Sequence, residues 1–268
     1  MVIGNRKFEE NRTYIMGILN VTPDSFSDGG KFNNIDAALK HTEQMIKDGA
    51  DIIDVGGEST RPNYTKISDE EEIGRVTPVI EAIKKNFDIP VSIDTYKSAV
   101  GEAAIKSGAD LMNDIWGFKY DEKMAEITAK YNKTCCLMHN RKEAVYNNFI
   151  EDVLADLKES VDIALKAGVK KDNIMLDPGV GFAKSYEQNL EITNKLEMLN
   201  TLGYHVLLGT SRKSMIGLTL DLPADQRVEG TLATTVLAVI KNAMFVRVHD
   251  VLENKRIIKM TERILGKA

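Results

Sequence analysis

The sequence of 268 residues is long enough for one large domain or two small ones. Its composition, 43% hydrophobic and 28% charged, is ordinary for a globular protein with a sizeable core. The formal net charge of -5 argues against a general attraction to nucleic acid or acidic membranes, so an anion would have to be bound by a local basic cluster.

The start of the chain has no apolar stretch behind basic residues, and no later run approaches membrane-spanning length. Cysteine occurs only as the neighbours Cys135 and Cys136. Neighbouring residues on a strand point to opposite faces, so we expect no disulfide between these two. We therefore expect a cytoplasmic protein without secretion signal or membrane segment.

In chain order, eight short apolar segments have the character of buried strands. Helical patterns separate them, for example over 35–49 and 149–168, where apolar residues recur at helical spacing. Two helices are expected to begin with capping boxes, at Ser68 and Ser185. The predicted strands are 14–19, 51–56, 90–95, 110–115, 134–139, 173–177, 205–210 and 245–250.

Eight alternations of strand and helix predict an α/β fold, a (β/α)8 TIM barrel that forms a single domain over residues 1–268. A doubly wound open sheet is the alternative, and we rank it lower because no linker or second domain interrupts the pattern. In such a barrel, functional residues lie at the carboxyl ends of the strands.

Every predicted strand carries polar residues at or just after its carboxyl end, which turn formation alone does not easily explain. They would converge on one rim of a closed barrel. In order, they are Asn20; Asp54 and Glu58; Asp94; Asn113 and Asp114; His139 and Asn140; Asp177; Ser211, Arg212 and Lys213; and Arg247, His249 and Asp250.

The last strand segment, FVRVHDV (245–251), is the most informative. Because side chains alternate along a strand, Arg247 and His249 share one face, while Val246 and Val248 share the other. The valines suit packing against outer helices, so the two basic residues would point into the barrel mouth and form an anion site. The alternative is that Arg247 pairs with a barrel carboxylate for structure alone.

The segment LLGTSRKSMIG (207–217) places Arg212 and Lys213 before a short extra helix. Free backbone amides at a helix start favour anions, and this loop is a frequent phosphate site in such barrels. The alternative is a surface loop with solvated cations. No P-loop is present, and GVGFAK (179–184) lacks the full dinucleotide fingerprint.

Asp94, Asn113 and Asp177 form a second candidate cluster. Two carboxylates and an amide deep in a mouth suit a flat heterocycle that is rich in N–H donors. Metal ligands or paired catalytic acids are alternatives. His139 could be a ligand, but a lone histidine is more often a hydrogen-bonded structural residue, and no zinc spacing is present.

Two loops, NVTPDSFSDGG (20–30) and DVGGESTRP (54–62), are rich in turn-forming residues and could cover the mouth as lids. Alternatively, both are simply long barrel loops.

The segments MGILNVTPDSFSDGG, DVGGESTRP, SIDTYK, NDIWG, MHNR, LDPGVGFAK, GTSRKS, RVEGT and VRVHDV resemble the dihydropteroate synthase family, in its order, from residue 16 to 251. The resemblance implies a folate-pathway transferase. It would join 6-hydroxymethyl-7,8-dihydropterin diphosphate to 4-aminobenzoate, releasing diphosphate and 7,8-dihydropteroate. Two alternatives stay open: a methyltetrahydrofolate-dependent methyltransferase, which would not need a diphosphate site, and a non-catalytic pterin-binding paralogue.

The resemblance also assigns residues. The implied catalytic residues are Asn20, Asp28, Arg61, Lys213, Arg247 and His249. The implied substrate-binding residues are Thr60, Asp94, Asn113, Met138, Asp177, Phe182, Lys213, Ser214 and Arg247.

Within these sets, Arg247 would stack on the pterin, and Asp177 would accept from its amino-pyrimidinone edge. Asn20 would hold the diphosphate together with the cofactor Mg2+, aided by Arg61 and His249. Thr60, Ser214 and Phe182 would form the aminobenzoate site, while Asp28 and Phe26 would complete a lid. These assignments fit a dissociative reaction, in which diphosphate leaves before the aniline nitrogen attacks.

The expected partners are the two small-molecule substrates, with no nucleic acid and no membrane. Because family members are commonly homodimers, the resemblance also implies a homodimer. The apolar segment 232–240 could serve as its interface or belong to the core.

Overall fold

The computed structural model describes residues 1–22, 31–58 and 66–267, with backbone alone for 31–34. A short antiparallel pair, β1 (Val2–Ile3) and β2 (Arg6–Lys7), precedes the other strands. These are β3 (Tyr14–Asn20), β4 (Ile52–Gly56), β5 (Val91–Asp94), β6 (Leu111–Asp114), β7 (Thr134–Met138), β8 (Ile174–Asp177), β9 (His205–Leu208) and β10 (Phe245–Val248).

The described helices alternate with these strands. They are α1 (Lys31–Asp48), α2 (Asp69–Asn86), α3 (Ser98–Lys106), α4 (Lys123–Lys130), α5 (Phe149–Lys166), α6 (Tyr186–Asn194), α7 (Ser214–Leu220), α8 (Val228–Ile240) and α9 (Val251–Ile264). The predicted strands agree with the observed ones to within two residues at each end, and α7 is the predicted short extra helix. None of the helices in the described ranges has the length and apolar character needed to cross a membrane.

The eight strands from β3 to β10 are parallel and close into a barrel. Closure is made by β10, which pairs with β9 on one side and with β3 on the other, where Arg247 lies opposite Met16. The predicted TIM barrel is therefore confirmed, and the open-sheet alternative is wrong.

The N-terminal hairpin seals the lower end of the barrel, a role that the sequence did not indicate. Ile3 and Phe8 are buried in one cluster with the inward residues of the strands, including Met16 and Phe245. The rings of Phe8 and Phe245 meet edge to face, with centroids 5.3 Å apart. An apolar plug thus fills this end.

Alternation along β10 follows the prediction. Val246 and Val248 belong to the large cluster between barrel and helices, together with Val251 and Ile258 of α9. Arg247 instead points inward, as its contacts below show. This division follows from the two-residue period of a strand.

Only one of the two predicted capping boxes is complete. Ser185 and Gln188 satisfy each other's backbone amides at the start of α6. At α2, Ser68 accepts from the Glu71 amide, but the Glu71 carboxylate binds Arg75 at 2.5 Å. The i,i+4 ion pair competes with the reciprocal half of that box. Cys135 and Cys136 are both buried and free, as predicted.

Candidate active site at the barrel mouth

Arg247 is held between two carboxylates at the upper end of the barrel. Its Nε donates to Asp54 Oδ2 of β4 at 2.6 Å, and its Nη2 donates to Asp94 Oδ2 of β5 at 2.6 Å. Asn113 of β6 also donates to Asp54 Oδ2, at 3.3 Å. The Arg247 side chain is 21% exposed, so part of it faces the mouth. Four strands thus contribute to one hydrogen-bonded floor.

Asp177 and Lys213 lie on the other side of this floor. Asp177, the last residue of β8, accepts from the Gly179 amide at 2.7 Å. A Cβ placed on Gly209 would lie 3.5 Å from Asp177 Oδ2 and 3.8 Å from the Arg247 Cβ, which shows how closely the two sides approach. Lys213 precedes α7, and its ammonium lies 4.8 Å from the centre of the Phe182 ring.

The charges in this pocket are nearly balanced. Asp54, Asp94 and Asp177 face Arg247 and Lys213, so three formal negative charges meet two positive ones. Burial raises the pKa of Asp94 to about 7, although Arg247 opposes the shift. Burial likewise raises the pKa of Asp177 and lowers the pKa of Lys213 to about 8. Arg247 therefore pairs with two barrel carboxylates, as the alternative interpretation of the strand pattern had it, and the anion site with His249 stays a prediction.

Several acceptors in the floor have no internal donor. Asp54 Oδ1, Asp94 Oδ1 and Ser92 Oγ are buried and make no hydrogen bond within the described part of the chain. A buried acceptor without a partner costs free energy unless a ligand or water satisfies it. Of the three residues Asp94 is the one with some exposure, 9%, and a ligand with several N–H groups stays the prediction for it.

An apolar wall stands beside this polar floor. Tyr96, Ile115 and Met138 form a small buried cluster, against which Trp116 and Phe182 pack. Met138 ends β7 and therefore lies at the same rim as Asp177. A polar floor next to an apolar wall is the arrangement that a flat heterocycle needs.

At the corner between β10 and α9, the basic residues make other contacts than those predicted. Arg212 binds both oxygens of Asp250, with Nε 3.0 Å from Oδ2. Its charge is therefore compensated, and the expected phosphate site with Arg212 is not supported. His249 Nδ1 forms a hydrogen bond with Ser211 Oγ at 3.0 Å. Ser214 is exposed as the first residue of α7.

Of the residues that the resemblance assigns to the Mg2+ and diphosphate site, Asn20 is the one within the described ranges that could bind the metal. It ends β3 opposite Gly56, which in turn lies opposite Asp94. A Cβ on Gly56 would lie 3.5 Å from Asn20 Oδ1, so the amide oxygen reaches the rim. Within the described ranges no cluster of three or more His, Cys, Asp or Glu could hold a metal ion. A single oxygen ligand nevertheless fits Mg2+, which usually retains waters and substrate phosphates.

Four predicted residues lie outside the part of the chain that the structure describes. They are Phe26 and Asp28 of the first loop, and Thr60 and Arg61 of the second. The lid interpretation of both loops therefore stays a prediction.

Asp54 was expected at the rim, but the sequence assigned it no role in the site. The segment IIDVG does carry a signal, because alternation puts Asp54 on the inward face with Ile52. The sequence could not show that Asp54 pairs with Arg247, which is almost two hundred residues away. His139 agrees with its favoured structural interpretation, because it is buried and bonded to Asp156 at 2.9 Å.

Comparison with known proteins adds independent information. The model of a family described as pterin binding enzyme matches residues 16–249. A dihydropteroate synthase of Clostridium beijerinckii is 65% identical over 267 residues, covering 99% of this chain and 99% of that protein.

Solved structures agree with this relative. A Clostridium difficile dihydropteroate synthase, crystallised in the presence of pteroic acid, superposes with a TM-score of 0.94 at 51% identity, covering 96% of this chain and 99% of that one. A Xanthomonas albilineans dihydropteroate synthase with 4-aminobenzoic acid gives a TM-score of 0.91 at 38% identity, covering 95% and 94%.

Proposed function

The chain belongs to the dihydropteroate synthase family of pterin-binding enzymes, and from that premise we propose how its own residues serve the reaction. The enzyme joins 6-hydroxymethyl-7,8-dihydropterin diphosphate to 4-aminobenzoate and releases diphosphate. The methyltransferase and the non-catalytic paralogue are set aside, because the relatives are dihydropteroate synthases. The observation that carries the assignment of residues is the polar floor around Arg247.

The pterin would lie on this floor with its plane against Arg247. The unpartnered Asp94 Oδ1 and the second oxygen of Asp177 would accept from the N–H groups of the pterin. Lys213 would donate to a pterin acceptor, while the flat face of the guanidinium stacks on the ring. Met138 and Phe182 would supply the apolar contact on the opposite side.

The diphosphate would extend from the floor toward Asn20 and His249. Arg212 would compete little for the diphosphate, because Asp250 already compensates its charge. When bound, Mg2+ would neutralise part of the diphosphate charge, and Asn20 is the described residue that would hold it. Arg61 would add a second cation, and Asp28 would balance it. Both remain proposals that rest on the family resemblance.

The reaction needs no nucleophile from the protein. The bond between the pterin methylene carbon and the diphosphate oxygen breaks, and its electron pair leaves with the diphosphate. The carboxylates of the floor would favour the resulting cation electrostatically. The aniline nitrogen of the aminobenzoate then bonds to the methylene carbon and loses a proton. Ser214 and Thr60 would orient the aminobenzoate, with Phe182 as its wall.

A diphosphate-release assay with both substrates and Mg2+ tests this assignment. We expect Lys213→Ala to raise the KM for the pterin diphosphate at least about tenfold, because a charge-assisted hydrogen bond is lost in a desolvated pocket. Ser214→Ala should instead raise the KM for 4-aminobenzoate and leave the pterin KM nearly unchanged. Unchanged constants in both folded variants would contradict the proposed site.

We also propose that the enzyme is a homodimer, formed through α7, α8 and α9. These neighbouring helices expose large apolar side chains. They are Leu218 (67% exposed), Ile240 (49%), Met260 (59%) and Ile264 (71%). Large exposed apolar side chains on neighbouring helices are a feature of subunit interfaces. In α8, Thr235, Ala238 and Val239 are buried, so segment 232–240 contributes to the core as well.

The double variant Met260→Glu with Ile264→Glu should dissociate the dimer, because two charges would be buried in an apolar contact. Light scattering coupled to size exclusion measures the mass. Leu165→Glu on α5, also exposed, is the matched control and should leave the mass unchanged. A double variant that keeps twice the monomer mass would refute this interface.

A further inference from the structure

The segment between β8 and α6 contacts two proposed site residues, Asp177 and Lys213, and contains a third, Phe182. We call residues 179–183 the pocket turn. Its Gly179 amide donates to Asp177 at 2.7 Å, and its Val180 carbonyl accepts from the Lys213 ammonium. Its Phe182 ring lies 4.8 Å from the same ammonium. The shape of the pocket turn therefore sets the positions of groups from β8 and from the start of α7.

The pocket turn contains one residue, Ala183, in a backbone conformation that non-glycine residues disfavour. Gly179, Gly181 and Ala183 all have positive φ, at 68°, 85° and 42°. Alanine disfavours this region because its Cβ approaches the backbone. At Gly179 a Cβ would lie 1.9 Å from the His139 carbonyl oxygen. External contacts must therefore hold this turn in place.

Lys184 provides the principal contact. Its ammonium donates to the carbonyls of Gly179 at 2.9 Å and Phe182 at 3.1 Å, and it lies 2.8 Å from His139 Nδ1. The protonated amine has three N–H donors, and here three acceptors meet them. Burial lowers the pKa of Lys184 to about 7, so the ammonium is the main form below that pH. Lys184 thus joins both ends of the pocket turn to the end of β7.

The orientation of His139 is set in turn by Asp156 of α5. His139 Nε2 lies 2.9 Å from Asp156 Oδ2, and Arg141 Nε donates to the same oxygen at 2.5 Å. With the proton on Nε2 facing the carboxylate, Nδ1 is free to accept from Lys184. Burial lowers the pKa of His139 to about 4, which keeps the ring neutral and preserves this acceptor.

We propose that Lys184 is a positioning residue of the active site, oriented by the Asp156–His139 pair, and that it acts by fixing the pocket turn against Asp177, Phe182 and Lys213. The inference rests on the substrate roles proposed above for those three residues. Lys184 itself contacts the backbone of the turn. Its loss would weaken the binding of both substrates by displacing Asp177, Phe182 and Lys213.

Two further contacts hold other parts of the turn, so loss of Lys184 should displace the turn without unfolding it. The Tyr146 hydroxyl donates to the Ala183 carbonyl at 2.7 Å, and the Gly181 amide donates to Asn189 at 2.6 Å. The Phe182 carbonyl would lose the Lys184 donor, and the Gly179 carbonyl would keep only the Phe182 amide, at 3.1 Å.

The test is Lys184→Met, which keeps the aliphatic stem and removes the three donors. We expect the KM values for pterin diphosphate and 4-aminobenzoate both to rise about 10- to 100-fold, because displacement of a supporting group by about 1 Å costs this much. Lys195→Met is the matched control, since Lys195 follows the C-terminal end of α6 and its pair with Glu191 is exposed, and it should leave both constants unchanged.

Conservative variants separate positioning from general stability. Asp156→Asn keeps an oxygen that accepts from His139 Nε2–H, so it should retain both KM values within about threefold. Asp156→Leu removes the acceptor and should raise them. A purely structural role would lower the melting temperature and the active fraction without changing either KM.

The outcomes distinguish this inference from the proposed site. Unchanged KM values in folded Lys184→Met, while Lys213→Ala raises the pterin KM, would overturn the role of Lys184 alone. Unchanged values in Lys213→Ala would overturn the site itself. If Lys184→Met does not fold, Tyr146→Phe cannot replace it, because that variant removes a single bond to the pocket turn and leaves the contacts of Lys184 intact. The deciding variant is then Asp156→Leu, which should raise both KM values; no change in either KM would refute the inference.

Discussion

Arg247→Ala should lower kcat/KM for the pterin diphosphate at least about 100-fold, the range seen when one preorganised electrostatic group is removed from an active site. The reason is that Arg247 serves the floor in two ways. It binds Asp54 and Asp94 at 2.6 Å each, and its partly exposed side chain presents a flat cation to the mouth.

Removal of the guanidinium would therefore change the carboxylates as well. Asp94 would face the Asp54 charge without a counter-ion in a buried setting, where a neighbouring negative charge favours the protonated form of Asp94. Burial already raises the pKa of Asp94 to about 7, and without Arg247 this pKa should rise further. A protonated Asp94 offers one acceptor fewer to a ligand rich in N–H groups.

Arg247→Lys is the control for charge alone. It keeps a cation near the two carboxylates but loses the bidentate geometry and the flat face, so activity should fall between the wild type and the alanine variant. Steady-state diphosphate release gives kcat/KM, and calorimetry gives the affinity for the pterin. A folded Arg247→Ala with kcat/KM within about threefold of wild type would contradict the assignment.

The fold followed closely from the sequence because its signals are local and repeated. Each strand is a short apolar run, and a two-residue period separates Val246 from Arg247 whatever lies elsewhere. The hairpin that seals the barrel was not foreseen. Ile3 and Phe8 carry no periodic pattern, and their burial depends on a barrel interior formed by the rest of the chain.

The residues of the candidate site could be predicted from the sequence, but the ion pairs between them could not. Alternation and the family resemblance both pointed to Asp94, Asp177 and Arg247. The pairing of Arg212 with Asp250 and of Arg247 with Asp54 joins residues far apart in the sequence or on separate loops. Such pairings decide the charge of the pocket, and a linear pattern contains no information about them.

A large effect on stability is expected at Lys97, beside the start of α3. Its ammonium binds Glu58 at 2.7 Å and Glu72 at 2.8 Å, and both carboxylates are almost completely buried. It also donates to the Ile67 carbonyl at 2.8 Å. Lys97 therefore compensates two buried charges and fastens the chain ahead of α2.

Lys97→Met should lower the free energy of unfolding by about 3 to 5 kcal/mol, because breaking a buried ion pair from one side leaves uncompensated charge. Lys158→Met is the matched control. Its exposed i,i+4 pair with Asp162 on α5 should contribute less than about 0.5 kcal/mol. Urea unfolding followed by circular dichroism measures both.

The pH dependence of the Lys97→Met deficit provides the sharper test. Burial raises the pKa of Glu72 even with Lys97 present, whereas the contacts of Glu58, chiefly with Lys97, lower its pKa despite burial. Without the ammonium, both folded-state pKa values should lie above those of the unfolded chain. A carboxyl group with a raised folded pKa takes up its proton more readily in the native state, so its penalty disappears as the pH falls. The deficit should therefore be larger at pH 8 than at pH 5, and an equal deficit at both would show that lost packing, not buried charge, is its cause.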